Sequence, residues 1–208
     1  MVHEENGTVI CVEKCLVTSI IEYAETLLKD LPEIYGVTHM RTTVRFAENI
    51  ETTEAVNRDL CVISAALHDV GLIEGCDFEH ETVDDNHGVR SAVIARTYLN
   101  KSGGMEDEAI DIVCTSMAQH CFPGTQTTIY AKILWDCDKL NMFKDTMVDR
   151  YLHHWQQMGM TRENAVKRIE RAREYYRETF FTEYAQNMAQ RYRVGCARKT
   201  VNHNQHDK

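Results

Sequence analysis

Apolar residues recur along this chain every three to four positions, the period of helices packed on one side. Val12, Leu16, Tyr23 and Leu27 share one face of a first helix, which Asp30-Leu31-Pro32 closes. A second helix is predicted from about Val37 to Ile50, with Phe46 and Ile50 inward. A third runs from about Glu54 through Leu60, Ile63 and Leu67 and stops at Asp69-Val70-Gly71. From Leu72 to Asn86 the period is lost and Glu74, Asp77, Glu79, Glu81, Asp84 and Asp85 accumulate, an acidic loop long enough to be functional. A fourth helix spans about His87 to Leu99 and ends at Ser102-Gly103-Gly104. The fifth uses Ile110, Val113 and Met117 and ends near Cys121, before the Pro123-Gly124 turn. A sixth spans about Thr128 to Tyr151.

A last long helix starts at Thr161, a good N-cap, and carries Val166, Ile169, Tyr176, Phe180, Tyr184 and Met188 to about Arg193. Gly195 and the polar residues after it read as a loose tail. No segment alternates in the manner of a strand. The predicted fold class is all-α, one helical bundle over residues 1–194 with its core at about 37–150 and a tail at 195–208.

Composition narrows the chemistry. At 208 residues and 43% hydrophobic the chain can bury one substantial core. A net charge of -9 argues against a protein that grips a nucleic-acid duplex over a broad face. A nucleotide in a pocket stays allowed, because a metal and a few cations can reverse the sign locally. The eight cysteines form no CxxC pair, no apolar run reaches membrane-spanning length, and no signal peptide is expected. Reduced, buried thiols in a cytoplasmic protein without a membrane partner are expected; Cys121 and Cys137 read as small core residues.

Among ten histidines, several fall where a helix points inward. His39 lies seven residues before Phe46, and His120 lies on the stripe of Ile110 and Met117. His68 and Asp69 close an apolar helix, and His87 opens another. Buried imidazoles and carboxylates need partners, and a divalent metal satisfies several at once. Imidazole and carboxylate donors suit Mn, Fe, Co, Ni or Zn, and the lack of clustered thiolates argues against a structural zinc site. Asp138 shares a face with Ala131, Leu134 and Met142 and so points inward. Asp136 lies about 200° around the helix and is expected to pair with Lys132 or Lys139, bracing the helix.

His39, the segment Leu67-His68-Asp69-Val70-Gly71 and Asp138 together resemble the H…HD…D signature of the HD-domain metal-dependent phosphohydrolases. The blocks "AALHDVGL", "NHGVRSAVIARTYL", "AQHCF" and "AKILWDCDKLNMF" are similar to successive blocks of the bacterial branch, in order. The resemblance covers about Val37 to Arg150, with an echo in "YRETFFTEYAQNMAQRYR". It implies an HD domain whose ligands are His39, His68, Asp69 and Asp138, the last being the second aspartate of its segment. Arg150 matches an arginine found twelve residues after that aspartate, which implies a phosphate contact. His87 and His120 fall in matching blocks, implying a second metal or the substrate phosphate. Departures lie at Lys144-Asp145-Thr146-Met147, where the family is glycine-rich, at Asn141, where it is acidic, and in a spacing from His39 to Val44 one residue longer than usual.

The reading that follows is a phosphohydrolase acting on a nucleotide or other small phosphate ester through one or two divalent ions, Mg included. Asp69 would bridge to a second ion on His87 and His120, Lys139 and Arg150 would offset phosphoryl charge, and His87 or His120 would assist the leaving group. A second reading is a di-iron oxygenase on the same fold, and a third is a nucleotide-binding sensor without turnover. His80 reads as a loop-surface residue, His153 and His154 as part of an aromatic packing face, and His203 and His206 as tail residues without a role. The charged positions from Arg162 to Arg173 read as a solvated face, and the aromatic-bearing last helix offers a face for a homodimer.

Overall fold

The computed structural model describes residues 12–74 and 86–201, with side chains to residue 192. Most of the acidic loop, with His80, and the tail residues His203 and His206 lie outside the described residues. Its helices are α1 (Lys14–Leu28), α2 (Val37–Asn49), α3 (Arg58–Leu67), α4 (His87–Ser102), α5 (Asp107–Ala118), α6 (Ile129–Lys139), α7 (Asp145–Gln157), α8 (Arg162–Thr179) and α9 (Glu183–Val201). Two 3-10 turns, Val70–Ile73 and Leu140–Phe143, follow α3 and α6. No strand occurs among the described residues, and the fold is all-α.

α3 is the axis of the bundle. Every residue from Leu60 to Leu67 is buried, so a short helix without a polar face must be enclosed by its neighbours. α1, α2, α5 and α6 pack around it, supplying Ile20, Met40, Val113 and Ile133 to one core. Asn57 caps its start by accepting from the Asp59 amide, which is why the helix begins at Arg58 rather than near Glu54. A second apolar cluster, with Ile34, Met147, Tyr151, Trp155 and Ile169, ties α7 and α8 to the loop before α2.

Two helices expected to be continuous are broken. The segment from Thr128 to Tyr151 divides into α6, a 3-10 turn and α7. At the break Asn141 is buried, and its Nδ2 donates to the Asp138 carbonyl at 3.0 Å and to Thr43 Oγ1 at 2.8 Å. A side chain that bonds backbone in this way competes with the helical ladder. The kink sends Leu140 and Phe143 into the main core and Met147 and Tyr151 into the second.

The expected single C-terminal helix is likewise α8 and α9, joined by Phe180, Phe181 and Thr182, and the helix runs past Gly195 to Val201 instead of ending near Arg193. Asp136 makes the junction. Its carboxylate accepts from the Phe181 amide at 3.0 Å, the Thr182 amide at 2.8 Å and the Thr182 hydroxyl at 2.6 Å. The expected ion pair of Asp136 with Lys132 or Lys139 is therefore corrected: fully buried, it braces α6 against the start of α9. Lys132 instead lies over the Phe181 ring, and Lys139 pairs with Asp138.

Candidate metal centre

Five helices deliver six potential ligands to one place. His39 comes from the buried face of α2, and the longer spacing to Val44 leaves α2 regular, with both residues buried. His68 is the C-cap of α3, and Asp69 follows it at the head of the first 3-10 turn. His87 opens α4, His120 follows α5, and Asp138 lies in the last turn of α6.

Two glycines set the approach. A Cβ on Gly71 would meet the His87 carbonyl at 2.4 Å and the Ser91 amide at 2.6 Å, so the turn after Asp69 packs directly on the start of α4. A Cβ on Gly88 would meet the Met117 carbonyl at 2.5 Å and Cys121 Sγ at 2.7 Å, so α4 also closes on the end of α5.

The donor atoms form two groups. In the first, His39 Nε2 lies 3.1 Å from His68 Nε2, 3.1 Å from Asp138 Oδ1 and 3.4 Å from Asp69 Oδ2, which is 3.2 Å from His68 Nε2. In the second, His87 Nε2 lies 3.2 Å from His120 Nε2, and Asp69 Oδ1 is 3.3 and 3.4 Å from the two. Asp69 thus turns one oxygen to each group. Ligands held about 2.0–2.2 Å from one ion stand roughly 3–3.5 Å apart, so both groups fit a divalent cation.

Outer contacts orient the rings. His68 Nδ1 and His120 Nδ1 lie 2.9 and 2.6 Å from the Ala65 and Met117 carbonyls, which leaves each Nε2 for the cluster. His39 Nδ1 is buried without a partner.

Charge is concentrated here. Burial works against the ionised form of Asp69, but the charge of His68 and bonds from His120, His68 and His87 hold its carboxyl well below the usual range. For Asp138, burial is likewise outweighed by the charge of Lys139 and contacts from His39 and His68. Against burial, Asp69 and Cys121 push His87 up to about 11 and His120 up to about 9. A cluster that draws protons onto imidazoles in this way attracts cations in general.

A cavity of about 470 Å³ opens onto His39, Asp69, His87 and Asp138. Lys139 lines it, with its ammonium paired to Asp138 and lying over the Trp135 ring at 4.9 Å and the Tyr176 ring at 6.0 Å. Arg150 is not among the residues that line it: its Nε pairs with Glu33 at 2.9 Å and its terminal nitrogen donates to the Thr146 carbonyl. His154 packs edge-on against Tyr35. A larger cavity of about 690 Å³, between residues 51–54 and α9, contains none of the clustered ligands.

Three contributors were not foreseen. Cys121 places Sγ 3.4 Å from His87 Nε2, and although burial raises its pKa, His120 and His87 bring it down to about 6. It is a polar neighbour of the second group rather than a plain core residue. Arg168 lines the cavity, and Arg173 is buried, donating to the Met142 carbonyl at 2.9 Å. The solvated-face reading of α8 is corrected for Arg173, whereas Arg168 is exposed while bordering the cavity. Arg168, Ala172 and Tyr176 recur every fourth residue, a signal of one shared face that was present in the sequence.

The family model described as HD domain matches residues 36–142. A search among curated proteins finds no match. Among solved structures, a predicted HD superfamily hydrolase from an uncultured Thermotogales bacterium is 22% identical with a TM-score of 0.61, over 90% of this chain and 89% of that one. A protein of Lactobacillus plantarum is 17% identical with a TM-score of 0.65, over 93% of this chain and 96% of its own. At these identities the two likenesses show a shared fold.

Proposed function

The chain belongs to the HD domain family, and from that premise we propose that it is a metal-dependent phosphohydrolase acting on a small phosphate ester, nucleotides included. The observation that supports it most is Asp69, whose two oxygens face two separate ligand groups. His39, His68, Asp69 and Asp138 would hold one divalent ion, and Asp69, His87 and His120 a second. Such ions, when bound, supply Lewis acidity toward phosphoryl oxygens and a lowered pKa for water.

The chain's own residues supply the rest. Lys139, fixed by Asp138 beside the first group, offsets charge on a phosphoryl oxygen. Of the two histidines in the second group, His87 reaches the cavity and His120 is buried behind it. With only the first ion present, His87 Nε2 is therefore the atom placed to hold a proton near the leaving oxygen. Met142 and Tyr151 give the cavity apolar walls that limit water around the ester.

The test is metal analysis of protein purified without chelator, alongside a phosphate-ester panel with added manganese, cobalt, nickel and magnesium. Expected are bound divalent metal and phosphate release, both lost in Asp69→Ala. Turnover retained by Asp69→Ala would overturn the scheme. Two irons per chain, with substrate-dependent oxygen uptake and no phosphate release, would replace it with the oxygenase reading.

A further inference from the structure

We propose that Thr43 and Asn141 are positioning residues for the first ligand group: their buried link between α2 and the turn after α6 sets the spacing of His39 and Asp138. The inference rests on reading the two ligand groups as metal sites. It deepens that reading by naming the contact that governs the affinity of one site independently of the other.

His39 and Asp138 come from different helices, and their donor atoms stand 3.1 Å apart. The histidines of the centre are not held alike. The His68 and His120 rings each turn Nδ1 to a carbonyl, whereas His39 Nδ1 is buried without a partner. The His39 ring therefore takes no orientation from an outer acceptor, and its place depends on how α2 lies against α6.

One residue pair ties those two helices behind the ligands. Thr43, one turn after His39, donates its hydroxyl to the His39 carbonyl at 3.1 Å. The same oxygen accepts from Asn141 Nδ2 at 2.8 Å, and that amide also donates to the Asp138 carbonyl at 3.0 Å. The backbone of His39 is thus joined to that of Asp138 through two side chains, both wholly buried. Thr42 and Thr97 make the same bond back along their own helices; Thr43 adds to it an acceptor for a second element.

The amide has one orientation that satisfies its neighbours. Nδ2 meets the Thr43 hydroxyl oxygen and the carbonyls of Cys137 and Asp138, all of them acceptors once Thr43 has given its proton to His39. Asn141 Oδ1 is then left buried with no partner, a cost that an apolar side chain here would avoid. The contribution of the amide at this position is the link itself. Among the described residues, the hydrogen bonds of Thr43 and Asn141 end on His39, Cys137 and Asp138, and none reaches His87 or His120.

The experiment measures cobalt(II) binding to the full chain, by calorimetry and by the visible absorption of the bound ion, in two backgrounds. His120→Ala keeps all four ligands of the first group, and His39→Ala keeps Asp69, His87 and His120 of the second. Thr43→Val removes the hydroxyl at nearly the same shape and lies outside the α6–α7 kink. It should weaken cobalt about tenfold in His120→Ala and leave it unchanged in His39→Ala. Thr43→Ser should restore the affinity, and Asn141→Ala added to Thr43→Val should cost less than it does alone, because the two act as one link. The cobalt band of His120→Ala should also shift in Thr43→Val, a change of ligand geometry that a general loss of stability does not produce. An unshifted band, equal weakening in both backgrounds or no weakening in either would overturn the proposal. Ester hydrolysis is assayed separately. A link effect on cobalt with no ester hydrolysed would overturn the hydrolase reading and keep the positioning role, and hydrolysis without any link effect would do the reverse. Cobalt bound in neither background would overturn both.

Discussion

His68 and His120 occupy similar local settings: each follows a helix, lies near the carbonyl three residues back through Nδ1, and turns Nε2 to a carboxylate. Such local geometry is readable from sequence, because a histidine at the end of an apolar helix has few other ways to satisfy both nitrogens. Cys121 was not readable, since its proximity to His87 depends on how α4 docks on α5. Gly88 governs that docking. Gly88→Ala is expected to push α4 away from the Met117 carbonyl and Cys121, costing about 1–3 kcal/mol. It should also weaken the second equivalent of metal about tenfold while sparing the first. Calorimetric metal titration and urea melts check this; unchanged binding of the second equivalent would show that the close approach is not needed.

At the scale of elements, the helices around the centre were legible and the breaks were not. α2 and α4 begin where the pattern placed them, at Val37 and His87, because their periodicity and boundaries are local properties. The α6–α7 kink and the α8–α9 junction rest on Asn141 and Asp136, polar residues buried by distant partners. Asp136→Ala would strand two backbone amides and a hydroxyl, with an expected loss of about 3 kcal/mol in urea unfolding and faster hydrogen exchange in α9. Burial raises the pKa of Asp136 to about 6, although bonds from Thr182 and Phe181 pull it down. Folded Asp136 therefore binds its proton more tightly than the unfolded chain, so its contribution to stability grows as pH falls. Between about pH 7 and pH 4, wild type should gain roughly 2–3 kcal/mol relative to Asp136→Asn, which lacks this titration. A constant difference across that range would contradict the assignment.

For the whole molecule, a centre fed by α2, α3, α4, α5 and α6 joins segments nearly a hundred residues apart. An ion bound there opposes separation of those helices, so stability becomes linked to metal concentration. Divalent metal at a hundredfold excess over Kd should add about 2.7 kcal/mol, and a chelator should remove it. Calorimetric Tm with and without metal tests this, and a Tm indifferent to both would mean that no ion is held in the folded centre. No helix among the described residues is long and apolar enough to cross a membrane.

The sequence by itself determined the all-α class, most helix positions and the inward faces carrying His39 and Asp138, because periodicity records which side of a helix is buried. It does not record what that side is buried against. Only the tertiary structure decided that Asp69 turns its two oxygens to different groups, that Arg150 pairs with Glu33 while Arg168 lines the cavity, and that Asp136 caps a junction forty-five residues away. Each is a contact between segments remote in sequence. Its existence follows from how whole helices pack, which no single helix encodes.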